Sequence, residues 1–208
     1  MFIVIEGLDR SGKSTQLNLL FDALGGEEKV VKMKFPDTST EIGKRIERVL
    51  KREEKSLPPK KMHRLFRDNR VEAQEIIKGH LNRGMNVLCD RYIHSGIAYS
   101  MAKGVPYPWC ENEERGLIRP DIVIFMDIAP LVAAERAGYG NELYEKLEFQ
   151  ENVWDMYYYI IDQEEKDLDN AKIETQWILV DASGSVHEIH SRILGDVREA
   201  MIKEAIVY

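Results

Sequence analysis

Gly7-Leu8-Asp9-Arg10-Ser11-Gly12-Lys13-Ser14 satisfies G-x-x-x-x-G-K-[ST] at each fixed position, and no other stretch of the chain limits its fold and chemistry as tightly. The apolar run 2–6 (FIVIE) stands before it, and a helical pattern opens near Lys13 with Leu17, Leu20, Phe21 and Leu24 at helical spacing. A strand, a glycine-rich loop and a helix in that order let the backbone curl so that successive N–H groups face phosphate oxygens, while the helix N-terminus adds positive potential. Lys13 is then placed to reach the β and γ oxygens of a nucleoside triphosphate, and Ser14 to ligate Mg²⁺. The triphosphate cradle comprises Gly7, Leu8, Asp9, Arg10, Ser11, Gly12, Lys13, Ser14 and Thr15. Arg10 adds something the motif does not require. Its planar fork stays charged and can bridge donor and acceptor phosphates as charge shifts during transfer, an arginine finger in cis; the alternative is a solvated loop arginine.

Further short runs at 29–35 (KVVKMKF), 86–90 (NVLCD), 121–127 (DIVIFMD) and 176–181 (QWILVD) alternate with longer amphipathic stretches. Five strands interleaved with helices imply an α/β fold: a parallel sheet with helices on both faces and a ligand crevice at the carboxyl ends of the strands. A length of 208 residues fits one domain over 1–208. Met62, Leu65, Phe66, Asn69, Ala73, Ile76, Ile77 and Leu81 predict a single long helix over 59–82, opened by Pro58-Pro59, and segments 52–60 and 137–148 read as surface loops.

Composition narrows the setting. A formal charge of −7 disfavours broad binding to nucleic-acid backbones. No apolar run approaches the about 18 residues that span a bilayer, and the N-terminus enters a strand without a basic region before it. Cys89 and Cys110 lack the spacing of a disulfide framework or a zinc site. Together these point to a cytoplasmic protein with two reduced thiols and no membrane or nucleic-acid partner.

Asp181-Ala182-Ser183-Gly184 matches the D-x-x-G of GTP-driven switches, but it follows the last predicted strand and no N-K-x-D accompanies it, so it reads as a strand end and turn. A kinase needs an acceptor pocket beside the cradle. Asp90-Arg91-Tyr92 follows a strand, which puts a carboxylate near the Ser14-bound metal and a guanidinium where an acceptor phosphate can sit; the alternative is that Asp90 only caps the next helix. Phe66 and Arg70 share a helix face, a ring to stack on a base and a fork to bond its edge, although a phenylalanine in such a stripe is more often core.

These residues resemble the thymidylate kinase family over essentially the whole chain. The resemblance is carried by E-G-L-D-R-S-G-K-S at 6–14, F-P at 35–36, S-T-E-I-G-K at 39–44, L-F-x-x-N-R at 65–70, D-R-Y-x-x-S-G-x-A-Y at 90–99, P-D at 120–121, Y-E at 144–145, F-Q at 149–150 and V-D-A-S at 180–183. It implies a five-stranded parallel sheet, a mobile lid at about 137–148, and Mg²⁺-dependent transfer from ATP to dTMP, with Ser14 and Asp90 at the metal and Arg10, Lys13, Asp90 and Arg91 as the catalytic set. By position, Phe66 would stack on thymine, Arg70 would bond its carbonyl edge and Arg91 would hold the dTMP phosphate. Asp9 would meet the 3′-hydroxyl, Tyr99 would exclude a 2′-hydroxyl, and Phe35, Ser95, Gly96, Tyr144 and Gln150 would line the pocket. Arg136 would cover the adenine. Arginine in the phosphate loop and none over 137–150 resembles the eukaryotic and viral type, and the family's common pairing implies a homodimer. The chain departs from the family at Thr38 and Leu143, where members commonly carry arginine, so one acceptor-phosphate contact is either missing or replaced, with Lys34 or Lys44 as the candidates.

Overall fold

The apolar run at the N-terminus is buried at every position, as a strand covered on both faces must be, and it forms the centre of the sheet. The computed structural model describes residues 1–136, 143–169 and 175–207. In chain order they form β1 (Phe2–Gly7), α1 (Lys13–Ala23), β2 (Val30–Lys34), α2 (Glu41–Leu50), α3 (Pro59–Glu72), α4 (Gln74–Asn82), β3 (Asn86–Asp90), α5 (Ile93–Met101), α6 (Tyr107–Glu113), β4 (Ile122–Asp127), α7 (Pro130–Ala134), α8 (Leu147–Asp169), β5 (Gln176–Asp181) and α9 (Val186–Val207). Five strands lie in the order β2-β3-β1-β4-β5 with every pairing parallel. The α/β sheet expected from the sequence is therefore present, with its strand bounds shifted by about a residue.

Alternation along β1 sorts the two cores. Ile3 and Ile5 pack with Leu17 and Leu20 of α1 and with Ile189 and Ile193 of α9, whereas Phe2 and Val4 pack with Ile77 of α4 and Ile93 of α5. A third cluster joins Ile97, Phe125, Val153 and Tyr157 and holds α8 against α5. All five strands point their carboxyl ends at one edge, where Gly7, Lys34, Asp90, Asp127 and Asp181 stand together.

The predicted helix over 59–82 is two helices. Ala73 breaks it: the Gln74 side chain donates to the Arg70 carbonyl at 2.8 Å and to the Tyr92 hydroxyl at 2.8 Å, while its amide oxygen accepts from Ile118 N at 2.7 Å. A side-chain amide thus takes over a carbonyl that an unbroken helix reserves for the backbone. The 137–148 loop is only partly as expected. Residues 137–142 lie outside those described, and α8 already begins at Leu147. Glu145, read as surface, is buried.

Two glycines make opposite demands. A Cβ on Gly43 would collide with the Asp37 carbonyl, because α2 presses on the loop leaving β2, whereas a Cβ on Gly79 in α4 would meet nothing within 4 Å. Gly43→Ala is expected to lower stability by about 1–3 kcal/mol, and Gly79→Ala to raise it by about 0.5–1 kcal/mol. Urea denaturation of the two variants checks both signs.

Candidate active site

The phosphate loop leaves β1 and enters α1 through Gly12, which holds φ 97° in the left-handed region. Lys13 is buried, and its ammonium donates to the Leu8 carbonyl at 2.5 Å. Burial, with Arg91 close by, pulls that ammonium down to about 8, against the opposing pull of Asp90, Asp9 and Glu6. Ser14 Oγ donates to Asp90 Oδ2 at 2.7 Å, so the first residue of the metal pair meets the second directly. Asp90 Oδ1 is buried with no hydrogen-bond partner among the described residues. Arg136 spans the cradle, donating from Nη1 to the Arg10 carbonyl and from Nη2 to the Ala182 carbonyl, each at 2.8 Å. That ties the loop to the turn after β5, where Asp181-Ala182-Ser183-Gly184 lies as the strand end read from the sequence. Thr15, Arg136 and residues 9–14 line a cavity of about 640 Å³.

A second cavity of about 370 Å³ lies beside it, walled by Phe35, Phe66, Arg70, Ser95, Gly96, Tyr99 and Tyr144. Asp9, Lys34 and Arg91 line both cavities. Asp9 is the knot of this shared wall. Its Oδ1 accepts from Arg91 Nη2, and its Oδ2 accepts from the Tyr99 hydroxyl and from Gln150 Nε2, each at 3.0 Å. Burial works to raise the Asp9 carboxyl, but Arg91, Lys13 and these hydrogen bonds hold it below its ordinary value. Arg91, itself at φ 66°, donates from Nη1 to the Gly7 carbonyl and to Ser95 Oγ, each at 3.0 Å. Gln150 is not on the wall where it was expected. It is buried behind Asp9, accepting from Asp9 N at 3.2 Å.

Arg10 sits at φ 64° and donates from Nε to Glu145 Oε1 at 3.1 Å. Of the two lysines near Thr38, Lys34 lines both cavities, while Lys44 pairs with Glu41 at 2.7 Å and lines neither. Thr38 itself borders the smaller cavity, and Leu143 turns away from phosphate chemistry to join the apolar cluster of α2 and α3.

Five residues with evident parts in the site were not singled out by their chemistry: Glu6, His63, Lys103, Glu114 and Glu145. Glu6 and Glu145 stand inside two of the family's motif pieces, but their burial is what gives them a part, and sequence does not show it. Nothing local marks positions 63, 103 and 114. Lys103 follows α5 and lays its ammonium 3.8 Å from the centre of the Tyr144 ring and 5.9 Å from that of Phe149. The Tyr144 hydroxyl is buried with no hydrogen-bond partner among the described residues.

Burial pulls the Lys103 ammonium down to about 7 from an ordinary 10.5. The unfolded chain therefore holds this proton through a window in which the folded one has released it, so the Lys103 contribution to stability rises with pH from about 7 to about 10.5. With part of the effect offset by the Tyr144 face, the wild type should gain about 1–2 kcal/mol more than Lys103→Met between about pH 7 and 9. Urea unfolding at both pH values measures it.

A thymidylate kinase family model matches residues 5–193. The thymidylate kinase of Schizosaccharomyces pombe is 44% identical over 205 residues, covering 98% of this chain and 94% of its own. The thymidylate kinase of Homo sapiens is 36% identical over 193 residues, covering 92% and 86%. A solved structure of thymidylate kinase from Candida albicans superposes with a TM-score of 0.83 at 31% identity, covering 95% of this chain and 91% of that one. A family model spanning residues 5–193 and relatives of this identity over nearly the whole length establish that the chain belongs to the thymidylate kinase family.

Proposed function

We propose that the chain moves the γ-phosphoryl group of ATP onto the phosphate of dTMP, acting as one domain over residues 1–208 with the segment at about 137–148, up to the start of α8, as its lid. As a thymidylate kinase it phosphorylates dTMP to dTDP. The observation that carries the fuller account is the shared wall: Asp9, Lys34 and Arg91 border both cavities, so a triphosphate in the cradle and a monophosphate next door meet across one set of charges. Within this assignment Lys13 and the loop N–H groups hold the β and γ phosphates, Arg91 and Lys34 hold the acceptor phosphate, and Arg136 covers the adenine. Phe66 stacks on thymine, with Arg70 at its carbonyl edge. Asp9 accepts from the 3′-hydroxyl, and Tyr99, bonded to Asp9, fills the space a 2′-hydroxyl would need. Phe35, Ser95, Gly96 and Tyr144 complete the walls.

In the reaction an acceptor phosphate oxygen attacks the γ phosphorus, the bond to the β–γ bridging oxygen breaks, and ADP leaves. Charge on the transferring group spreads over its equatorial oxygens, and preformed cations around that point lower the barrier. Ser14 and Asp90 suit Mg²⁺: they touch, they offer oxygens, and one buried Asp90 oxygen has no partner among the described residues. Two protein oxygens match the habit of Mg²⁺ of completing its shell with phosphate and water. When bound there, the ion would neutralise phosphate charge. A homodimer and a cytoplasmic location also belong to this proposal, on the family's habit and the two unpaired cysteines.

A coupled ADP-release assay with ATP, Mg²⁺ and each monophosphate in turn should show strong preference for dTMP, tolerance of dUMP and little turnover of AMP, GMP or CMP. Equal rates with a purine monophosphate would overturn the acceptor assignment. Arg10 is the cation best placed to follow the moving charge, because its Glu145 partner holds it at the rim of the cradle with its side chain 37% exposed. Arg10→Ala is expected to lower kcat about a hundredfold, about 3 kcal/mol of transition-state stabilisation, with much less change in ATP binding. Near-normal kcat with a raised KM for ATP would make Arg10 a ground-state contact.

A further inference from the structure

Arg70 is 1% exposed yet lines the smaller cavity. A guanidinium so buried needs a fixed counter-charge, and Glu114, just past α6, supplies it. Arg70 Nε donates to Glu114 Oε2 at 3.2 Å, and Arg70 Nη2 donates to Glu114 Oε1. This side-by-side pairing sets the plane of the guanidinium as a single bond could not. Glu114 is held in turn. His63 Nε2 lies 3.2 Å from Glu114 Oε1, and His63 Nδ1 lies 2.8 Å from Ser100 Oγ and 3.2 Å from the Gly96 carbonyl. With Nδ1 anchored at Ser100 and Gly96, the ring is fixed with Nε2 facing the Glu114 carboxylate. Burial works to raise the Glu114 carboxyl, but Arg70 and His63 hold it below its ordinary value, so it stays charged.

Glu114 occupies two of the three Arg70 nitrogens. Nη1 is the one without a hydrogen-bond partner among the described residues, and it lies against Gly96, where an added Cβ would stand 3.1 Å away. Guanidinium nitrogens donate and never accept. A donor held rigidly at the edge of a base rewards a carbonyl there and leaves an exocyclic amine unpaired, the kind of mismatch that discriminates most strongly.

We propose that Glu114, backed by His63, is a positioning residue for base selection: it locks Arg70 so that only N–H donors meet the base, favouring an acceptor with a carbonyl on that edge over one with an amine. The inference rests on the assignment of Phe66 and Arg70 to the thymine ring. A buried ion pair that only supported the fold would alter melting temperature without altering the choice between bases.

The test measures kcat and KM with dTMP and dCMP for the wild type, Glu114→Gln, His63→Gln and Arg70→Met, with a thermal melt of each. Glu114→Gln should raise KM for dTMP about tenfold or more, change kcat far less, and shrink the dTMP to dCMP ratio of kcat/KM by a similar factor. His63→Gln, which leaves the Arg70 pair in place, should act in the same direction by about threefold, and it decides the matter if Glu114→Gln does not fold. Should Arg70→Met lose the preference while the folded Glu114 and His63 variants keep it, the positioning role is overturned and the base site stands. Should Arg70→Met itself keep the preference, the base site falls and the positioning role with it.

Discussion

The buried carboxylate of Glu6 fixes where the acceptor side of the molecule stands. Burying an ionised carboxylate is unfavourable by several kcal/mol unless its oxygens are fully used, and Glu6 uses them on two other elements at once. It accepts from Tyr92 N at 2.8 Å and Ser95 N at 3.0 Å, from Ser95 Oγ, and from the Tyr157 hydroxyl at 2.9 Å. The two backbone donors are orphan N–H groups at the start of α5, where a negative charge also meets the positive end of the helix. The end of β1, the start of α5 and the middle of α8 are pinned to one point. Arg91 and Ser95 sit on the pinned turn, and Gln150 sits on the pinned helix, so the Asp9 network is assembled from parts whose spacing Glu6 has already set.

Two of the three non-glycine residues with positive φ among those described stand in the site, the third being Arg52 after α2. Arg10 and Arg91 both occupy the left-handed region, an uncommon conformation for a side chain of this kind. Each is held there by a carboxylate, Glu145 for Arg10 and Asp9 for Arg91. The two arginines are thus carried in neutralised pairs, which limits their repulsion of Lys13 and keeps them oriented. Buried Lys13 keeps part of its charge because Asp90, Asp9 and Glu6 oppose the downward pull of burial and Arg91.

The donor half of the site was legible in the sequence because its parts are adjacent in the chain. A glycine-rich turn between an apolar run and a helix needs eight consecutive residues and no tertiary information. The Ser14–Asp90 contact could be anticipated because both residues follow strand ends that a parallel sheet must bring to one edge. Phe66 and Arg70 followed from helical spacing. What stayed hidden depends on contacts with no local period. Glu114 lies 44 residues from Arg70 in the chain and His63 lies 33 from Gly96, and neither carries a pattern that announces the partner. The break at Ala73 was hidden for the same reason, since Gln74 takes the Arg70 carbonyl only because Tyr92 and Ile118 wait on its other side. Gln150 lies one layer further in than its motif alone suggests, bonded to Asp9 from behind.

Gly96 and Arg70 share a single volume. A Cβ on Gly96 would stand 2.6 Å from Arg70 Nη2, with guanidinium atoms fixed by Glu114 and unable to retreat. The two positions therefore form one unit under substitution. A methyl group at 96 is unfavourable while the long cationic side chain is present and becomes acceptable once it is gone, so the sign of one change depends on the other. A route that changes position 96 first would cross a valley, whereas one that gives up Arg70 first would not, so the order of the two changes is set by the packing.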